Sequence, residues 1–318
     1  KKRAIDWLDR ERSFKSLVTD IKLQNAEYDC VIPVSGGKDS TWQVLTAIKY
    51  GLRPLCVTWR SPARTELGQK NLNNLISIGT DHIDFSIDPN VEKKFILETF
   101  RKKGSPVIPM HMAIHALPVK FAKIMQIPLI LWGENSAFEY GSDDNVLKGF
   151  ELTRSWFLKY GVTDGTFAED WVSSELHYNE LQPYMIPKPT LSCGQKGRAV
   201  FLGQFIEWDP VKIFNEVKVS GFQQDITPKT GLYRFADIDD RFLITIHHWM
   251  KWYKFGFTRL WDNLSLEIRA GRMTRKEAKR VIENVGEEKP IREIEDFCKF
   301  LDLEVKTFWE IVEDHRNP

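Results

Sequence analysis

The segment Ser35-Gly36-Gly37-Lys38-Asp39-Ser40 constrains this chain more than any other. It follows the apolar run Tyr28–Val34 and precedes the helix-patterned run Thr41–Tyr50, which together read as strand, glycine-rich turn, helix. Two glycines let the backbone turn tightly and bring its N–H groups close to an anion. The helix that follows presents a partial positive charge at its N-terminus, and Lys38 adds a full one. Ser35 and Ser40 offer hydroxyls, and Asp39 is placed to hold a magnesium ion beside phosphates. The spacing is neither G-x-x-x-x-G-K-[ST] nor G-x-G-x-x-G. A loop of this composition suits a polyphosphate.

The surrounding pattern alternates. Strands are expected at Cys30–Val34, Leu52–Trp59, His82–Ser86 and Pro128–Trp132. Helices are expected from Ser61-Pro62 to Ile78, from Asp88-Pro89 to Lys103, and over His111–Met125. Strands alternating with helices make βαβ units and a doubly wound parallel sheet, whose ligands sit at the carboxyl ends of the strands. The Ser35 loop, the turn after Thr58-Trp59 and the turn Gly133-Glu134-Asn135 all fall at such ends, so three separate segments converge on one edge. Upstream, Asp6–Lys22 reads as a polar-rich helix. Residues 140–200 are irregular and rich in Gly, Ser, Asp and Pro, the mark of an insertion or substrate loops. Beyond Asp209-Pro210 the pattern is helical, with a long amphipathic helix expected over Phe235–Phe255. A capping box follows at Thr274–Glu277, and helices are expected over Pro290–Leu301 and Glu304–Asp314. The division that follows is a helical segment at 1–27, an α/β nucleotide domain at 28–139, an insertion at 140–208 and a C-terminal helical region at 209–318.

Composition narrows the classes. With 318 residues, 42% apolar and 28% charged, the chain has the make-up of a globular protein with a sizeable core. The net charge of +1 gives no general argument for nucleic-acid or membrane partners. No apolar run approaches a membrane span, and the first residues lack the apolar stretch of a signal peptide. Four cysteines, Cys30, Cys56, Cys193 and Cys298, lie far apart without a C-x-x-C pair. They read as reduced thiols, and the expected location is the cytoplasm.

Other residues carry chemistry in outline. Asp39 and Glu134 are carboxylates at two strand ends and form a candidate magnesium pair; the bland alternatives are a helix N-cap and a backbone hydrogen bond. Trp59 suits stacking on a base, or simply the core. His111 and His115, four apart, have zinc-compatible spacing, but no third ligand is visible. Cys193 lies beside Lys196 and Arg198, which would favour a thiolate if it were exposed; a small loop side chain is the simpler reading. The two cations themselves could grip an anion or be solvated. Arg269–Arg280 is basic, but Glu267, Glu277 and Glu283 dilute it, so Arg269 and Arg272 are kept as anion ligands rather than as a nucleic-acid surface.

The SGGKDS segment resembles the loop of the PP-loop ATP pyrophosphatases, which split ATP between its α and β phosphates. Further segments are similar to one branch of that superfamily, the N-acetyl sugar amidotransferases of bacterial surface-polysaccharide synthesis. They are Asn71–Leu75 with Ile78-Gly79-Thr80-Asp81, Ile127–Asn135 (IPLILWGEN), Phe201–Pro210 (FLGQFIEWDP), Lys251–Phe257 (KWYKFGF), Glu267–Glu277 (EIRAGRMTRKE) and Phe308–Pro318. SGGKDS marks the superfamily; GEN, the WDP segment and the IR-x-GR-x-TR-x-E run mark the branch. The chain departs from the branch at Glu267, where an aspartate is usual. It also starts at Lys1-Lys2 without the cysteine-rich segment with which members usually begin, so no zinc is assigned to it.

The resemblance implies an adenine nucleotide alpha-hydrolase-like fold and an ATP-dependent, AMP-forming carbon–nitrogen ligase. The amide oxygen of an acetamido sugar would attack the α-phosphorus and release pyrophosphate; ammonia would then add at carbon and AMP depart, leaving an acetamidine. Ser35, Gly36, Gly37 and Ser40 would hold the pyrophosphate, Lys38 would offset its growing charge, and Asp39 and Glu134 would hold Mg2+. The backbone at Thr58 and Trp59 would read the adenine, beside Gly133. Lys196, Arg198, Arg269 and Arg272 would face the sugar, which is expected to be nucleotide-linked and destined for lipopolysaccharide or O-antigen. No glutaminase apparatus is visible, so ammonia is expected from a separate glutaminase subunit, docked on the C-terminal helices, where Trp249, Trp252, Tyr253, Phe255 and Phe257 are candidates. The alternative is a tRNA-modifying PP-loop enzyme of the thiolation or lysidine type. The near-neutral charge, the lack of paired cysteines and the lack of an RNA-binding appendage argue against it.

Overall fold

The computed structural model describes residues 5–136, 152–187, 197–285 and 289–317. Five parallel strands form one sheet in the order β3-β2-β1-β4-β5. They are β1 (Cys30–Pro33), β2 (Pro54–Trp59), β3 (Asp81–Phe85), β4 (Leu129–Trp132) and β5 (Arg198–Phe201). In the first half of the chain the crossovers are the helices α2 (Lys38–Lys49), α3 (Glu66–Ile76), α4 (Pro89–Lys103) and α5 (Ile108–Ile124), preceded by α1 (Trp7–Lys22). The doubly wound parallel sheet with a helical C-terminal region is therefore the architecture observed.

Burial on both faces explains the near-continuous apolar strands. Side chains alternate between two cores, as a period of two requires. Val31, Leu55, Val57 and Ile130 face one layer, with Phe95 and Phe100 of α4 and Met112 and Ala116 of α5. Cys30, Ile32, Cys56, Leu129 and Leu131 face the other. There α1 lays down Phe14, Leu17, Val18 and Ile21, one face at helical spacing. The first layer continues into the C-terminal helices: Phe100 meets Phe297 and Phe308 with ring centroids 5.2 Å apart in each pair. The C-terminal region thus shares the core of the sheet.

Three expectations change. Strand β5, Arg198–Phe201, lies inside the segment read as an insertion and pairs with β4 in register from Leu129↔Arg198 to Trp132↔Phe201. Helix α3 begins at Glu66, not at Ser61-Pro62, because Thr65 caps it by accepting from the Gly68 amide at 2.9 Å; Ser61 instead accepts from Ala63 N at 3.0 Å in a turn. The helix expected over Phe235–Phe255 starts only at Leu243, leaving residues 235–242 as a connecting segment. The capping box at Thr274 is present: Glu277 accepts from the Thr274 amide at 2.7 Å, and Thr274 Oγ1 accepts from the Glu277 amide at 3.2 Å. Among the described residues no helix is long and apolar enough to cross a membrane.

Candidate active site

Strand order reverses between β1 and β4, and a doubly wound sheet opens a crevice at such a switch point. The Ser35 loop leaves β1 and Gly133-Glu134 leaves β4, so both turns rim that crevice. A cavity of about 500 Å³ lies there, a size that suits a nucleotide-scale ligand. Ser35, Gly37, Lys38, Asp39, Ser40, Thr58, Trp59, Gly133 and Glu134 all line it, so the three segments expected to converge do so.

The loop is braced from within. Ser35 Oγ accepts from the Gly37 amide at 3.3 Å, and Ser40 Oγ donates to the Gly37 carbonyl at 3.1 Å. Gly37 is the N-cap of α2, with no side chain capping it, so the first amides of α2 are left for an anion. Gly36 has φ +87°, and a Cβ there would lie 2.6 Å from Leu72 N on α3. Only glycine permits this backbone and this approach. Gly133 is also crowded, though by side chains: a Cβ would come within 2.9 Å of Gln43 Oε1 and 3.1 Å of the Trp208 ring. The Lys38 ammonium donates to both Asp39 oxygens at 2.6 Å and sits 5.3 Å from the centre of the Phe235 ring.

At the end of β2, Thr58 Oγ1 donates to the Val34 carbonyl at 2.7 Å and lies 2.8 Å from His82 Nε2. This ties the strand end to the loop strand. Trp59 is buried, and its Nε1 donates to Glu92 Oε1 at 2.8 Å, so the ring is anchored in the core while part of it faces the cavity. Burial pushes Glu92 from 4.5 up to about 8. The folded chain therefore holds a proton there that the unfolded chain has released, and this contribution to stability is present below about pH 4.5 and lost as pH rises through about 8. Glu92→Gln should gain stability relative to the parent as pH goes from 5 to 8, read by urea unfolding at the two pH values. Parallel behaviour at both would contradict the buried-acid account.

In the GEN turn, Asn135 is structural: its Oδ1 accepts from Trp156 Nε1 at 2.9 Å. Glu134 is exposed toward the cavity. Magnesium is typically held by one or two carboxylates plus phosphate oxygens and water. Asp39 and Glu134 on a phosphate-suited cavity fit that donor set. Among the described residues no cluster of three or more His, Cys, Asp or Glu is arranged to hold a metal alone. His115 also lines the cavity and stacks on Trp132 with centroids 4.9 Å apart. Its Nδ1 and that of His111 bond to helix carbonyls at 2.6 and 2.8 Å. Burial lowers both imidazoles to about 4, leaving them neutral at pH 7.

The anion ligands expected for the sugar fare differently. Lys196 and Cys193 lie outside the described residues. Arg198 opens β5 and Arg269 ends its helix; neither is among the residues lining the cavity. Arg272 donates to Asp209 Oδ2 at 2.6 Å and to both Glu267 oxygens at 2.7 Å, so it is engaged by carboxylates rather than facing the cavity. Residues not singled out from the sequence take the opposite wall. Tyr233, Phe235, Asp237, Asp239 and Asp240 come from the connecting segment before Leu243, and Arg259, Asn263 and Leu266 share one face of the helix Arg259–Arg269. The segment is stitched to the β2–α3 loop: Arg241 N donates to Ala63 O at 2.6 Å and Thr65 N to Asp239 O at 3.1 Å. Burial raises the Asp239 carboxyl, partly offset by the nearby Ser35 side chain; burial lifts Asp240 to about 7. The acid-rich run Asp237–Asp240 was the available signal, since Asp favours turns; in the structure Asp237 is left-handed, at φ +58°.

That wall decides which relatives matter. Residues 231–318 match the C-terminal domain family of WbpG-like LPS biosynthesis proteins. The WbpG-like region therefore supplies the wall that faces the Ser35 loop, and its match supports the family resemblance carried by the sequence motifs. No curated protein matches the chain. Among solved structures, NMN synthetase from Francisella tularensis aligns over 94% of each chain at 15% identity with a TM-score of 0.39. The fold rests on the strand order and registers given above.

Proposed function

We propose that the chain is an ATP-dependent amidotransferase of lipopolysaccharide synthesis that converts an acetamido group of a sugar to an acetamidino group. One observation carries the reading: a polyphosphate-type loop and a WbpG-like wall enclose the same cavity. An acetamido carbon is a poor electrophile, and ATP, here a substrate, can activate it. The amide oxygen bonds to the α-phosphorus as the bond to pyrophosphate breaks and the amide N–H proton is released. Ammonia then adds at carbon, and the C–O bond breaks to release AMP.

The protein's part is to position and to stabilise charge. The uncapped amides at the start of α2 face the phosphates, the Ser35 and Ser40 hydroxyls brace the loop that presents them, and Lys38 offsets charge on the leaving pyrophosphate. Asp39 and Glu134 would hold magnesium, which would supply further neutralisation of phosphate charge. The wall built from Tyr233, Arg259 and Asn263 takes the sugar, and a separate glutaminase supplies ammonia. Phosphorus NMR of a reaction with ATP, ammonium and nucleotide-linked diacetamido sugars should show AMP and pyrophosphate in equal amounts. ADP and phosphate as products, or turnover with tRNA in place of sugar, would overturn the reading.

A further inference from the structure

The WbpG-like region reaches the Ser35 loop through an unbroken line of side chains. Arg272 is gripped by Asp209 and by both oxygens of Glu267. Glu267 also accepts the Tyr233 hydroxyl. Tyr233 lies on Phe235 with centroids 4.8 Å apart and planes 11° from parallel. Phe214 stacks on Phe235 as well, at 4.7 Å and 23°, and Phe235 is buried. Lys38 Nζ stands 5.3 Å from the centre of that ring. The links are hydrogen bonds, ring stacks and one cation–π approach, and they join the N-cap residue of the helix Pro210–Lys218, the helix Arg259–Arg269 and the start of α2.

The arrangement answers a physical need. A lysine ammonium sits on a flexible four-carbon stem, and ordering it on binding costs affinity unless the protein sets it beforehand. Asp39 alone is a poor anchor, because its carboxylate is about half exposed and is wanted for metal. An aromatic face attracts the ammonium without neutralising it, unlike the Asp39 carboxylate with which it also pairs. A face held on two sides by other rings, one of them hydrogen-bonded to an arginine-clamped carboxylate, keeps a fixed place.

We propose that Phe235 is a positioning residue for Lys38, and that the contacts Asp209–Arg272–Glu267–Tyr233 fix Phe235, so that the C-terminal helices set the charge that meets the nucleotide's phosphates. The inference rests on the nucleotide reading of the cavity, and it assigns Arg272 to the phosphate loop rather than to the sugar.

The test measures binding of Mg-ATP and, as the phosphate-free control, adenosine, by calorimetry without sugar. The variants are Phe235→Leu, Tyr233→Phe, Arg272→Lys and the double variant of the first two. Tyr233→Phe deletes one hydroxyl and keeps the ring, so it tests the line even where a larger change disturbs folding. Phe235→Leu should weaken ATP about twofold to thirtyfold, the range of a cation–π contact, and leave adenosine unchanged. Tyr233→Phe and Arg272→Lys should weaken ATP by less, and the Tyr233→Phe effect should vanish once Phe235 is leucine. Equal losses for ATP and adenosine, or additive effects in the double variant, would overturn the relay. ATP binding by the parent with indifferent variants would overturn the relay alone; a parent that binds no ATP would overturn the nucleotide reading with it.

Discussion

Replacing Lys38 with alanine is expected to lower AMP formation by about 10²–10³-fold, the scale on which one preorganised charge or donor contributes to a transition state. The ammonium is buried at the first turn of α2 and faces the cavity rather than the core. Its partner Asp39 has a side chain 45% exposed, so after the substitution that carboxylate returns to water and the cost to folding is small. Activity and stability should therefore separate: the melting temperature stays close to the parent's while turnover collapses. Asp39→Ala should follow the same pattern if, as proposed, its carboxylate takes part in holding magnesium. Near-normal turnover in both variants would remove the loop from the chemistry.

Gly36→Ala should fail in a different way. A non-glycine residue at φ +87° pays about 1–2 kcal/mol for the left-handed backbone alone. The added Cβ would also meet Leu72 N at 2.6 Å and Leu72 Cα at 2.8 Å, and these are helix backbone atoms that cannot rotate aside. The loop must shift or α3 must move, and either change displaces the uncapped first amides of α2 from the cavity they face. Expected together are a lower urea midpoint and loss of ATP binding. A variant that kept both would show that the loop does not need the conformation described here.

What the sequence disclosed and what it hid follow from locality. The Ser35–Ser40 loop, the Asp88-Pro89 start of α4 and the Thr274–Glu277 capping box are determined by residues within a few positions of each other, and all were legible. Strand β5 was not, because four residues amid an irregular stretch acquire strand geometry only by lying beside β4. The cavity wall at Tyr233–Asp240 was hidden for a related reason. Phe235, Ile238 and Phe242 mimic helical spacing, yet tertiary contacts hold the segment open: Asp240 accepts the Ile244 amide at 3.0 Å and so starts the helix later, and Arg241 and Thr65 bind the segment to the β2–α3 loop. The partners of Arg272 were hidden because a sequence shows its charge but not the two carboxylates, 63 and 5 residues away, that engage it. The sheet-edge half of the candidate site was written in three strand-end segments, each legible by itself; the other half exists only once the C-terminal helices fold onto the sheet.

The most direct measurement follows the amide oxygen. A sugar labelled with oxygen-18 in its acetamido carbonyl is incubated with ATP and ammonium, and AMP is analysed by mass spectrometry. Activation of the amide by adenylylation predicts one labelled oxygen in the AMP phosphate for every acetamidine formed. Unlabelled AMP, or label appearing in inorganic phosphate or water, would contradict it.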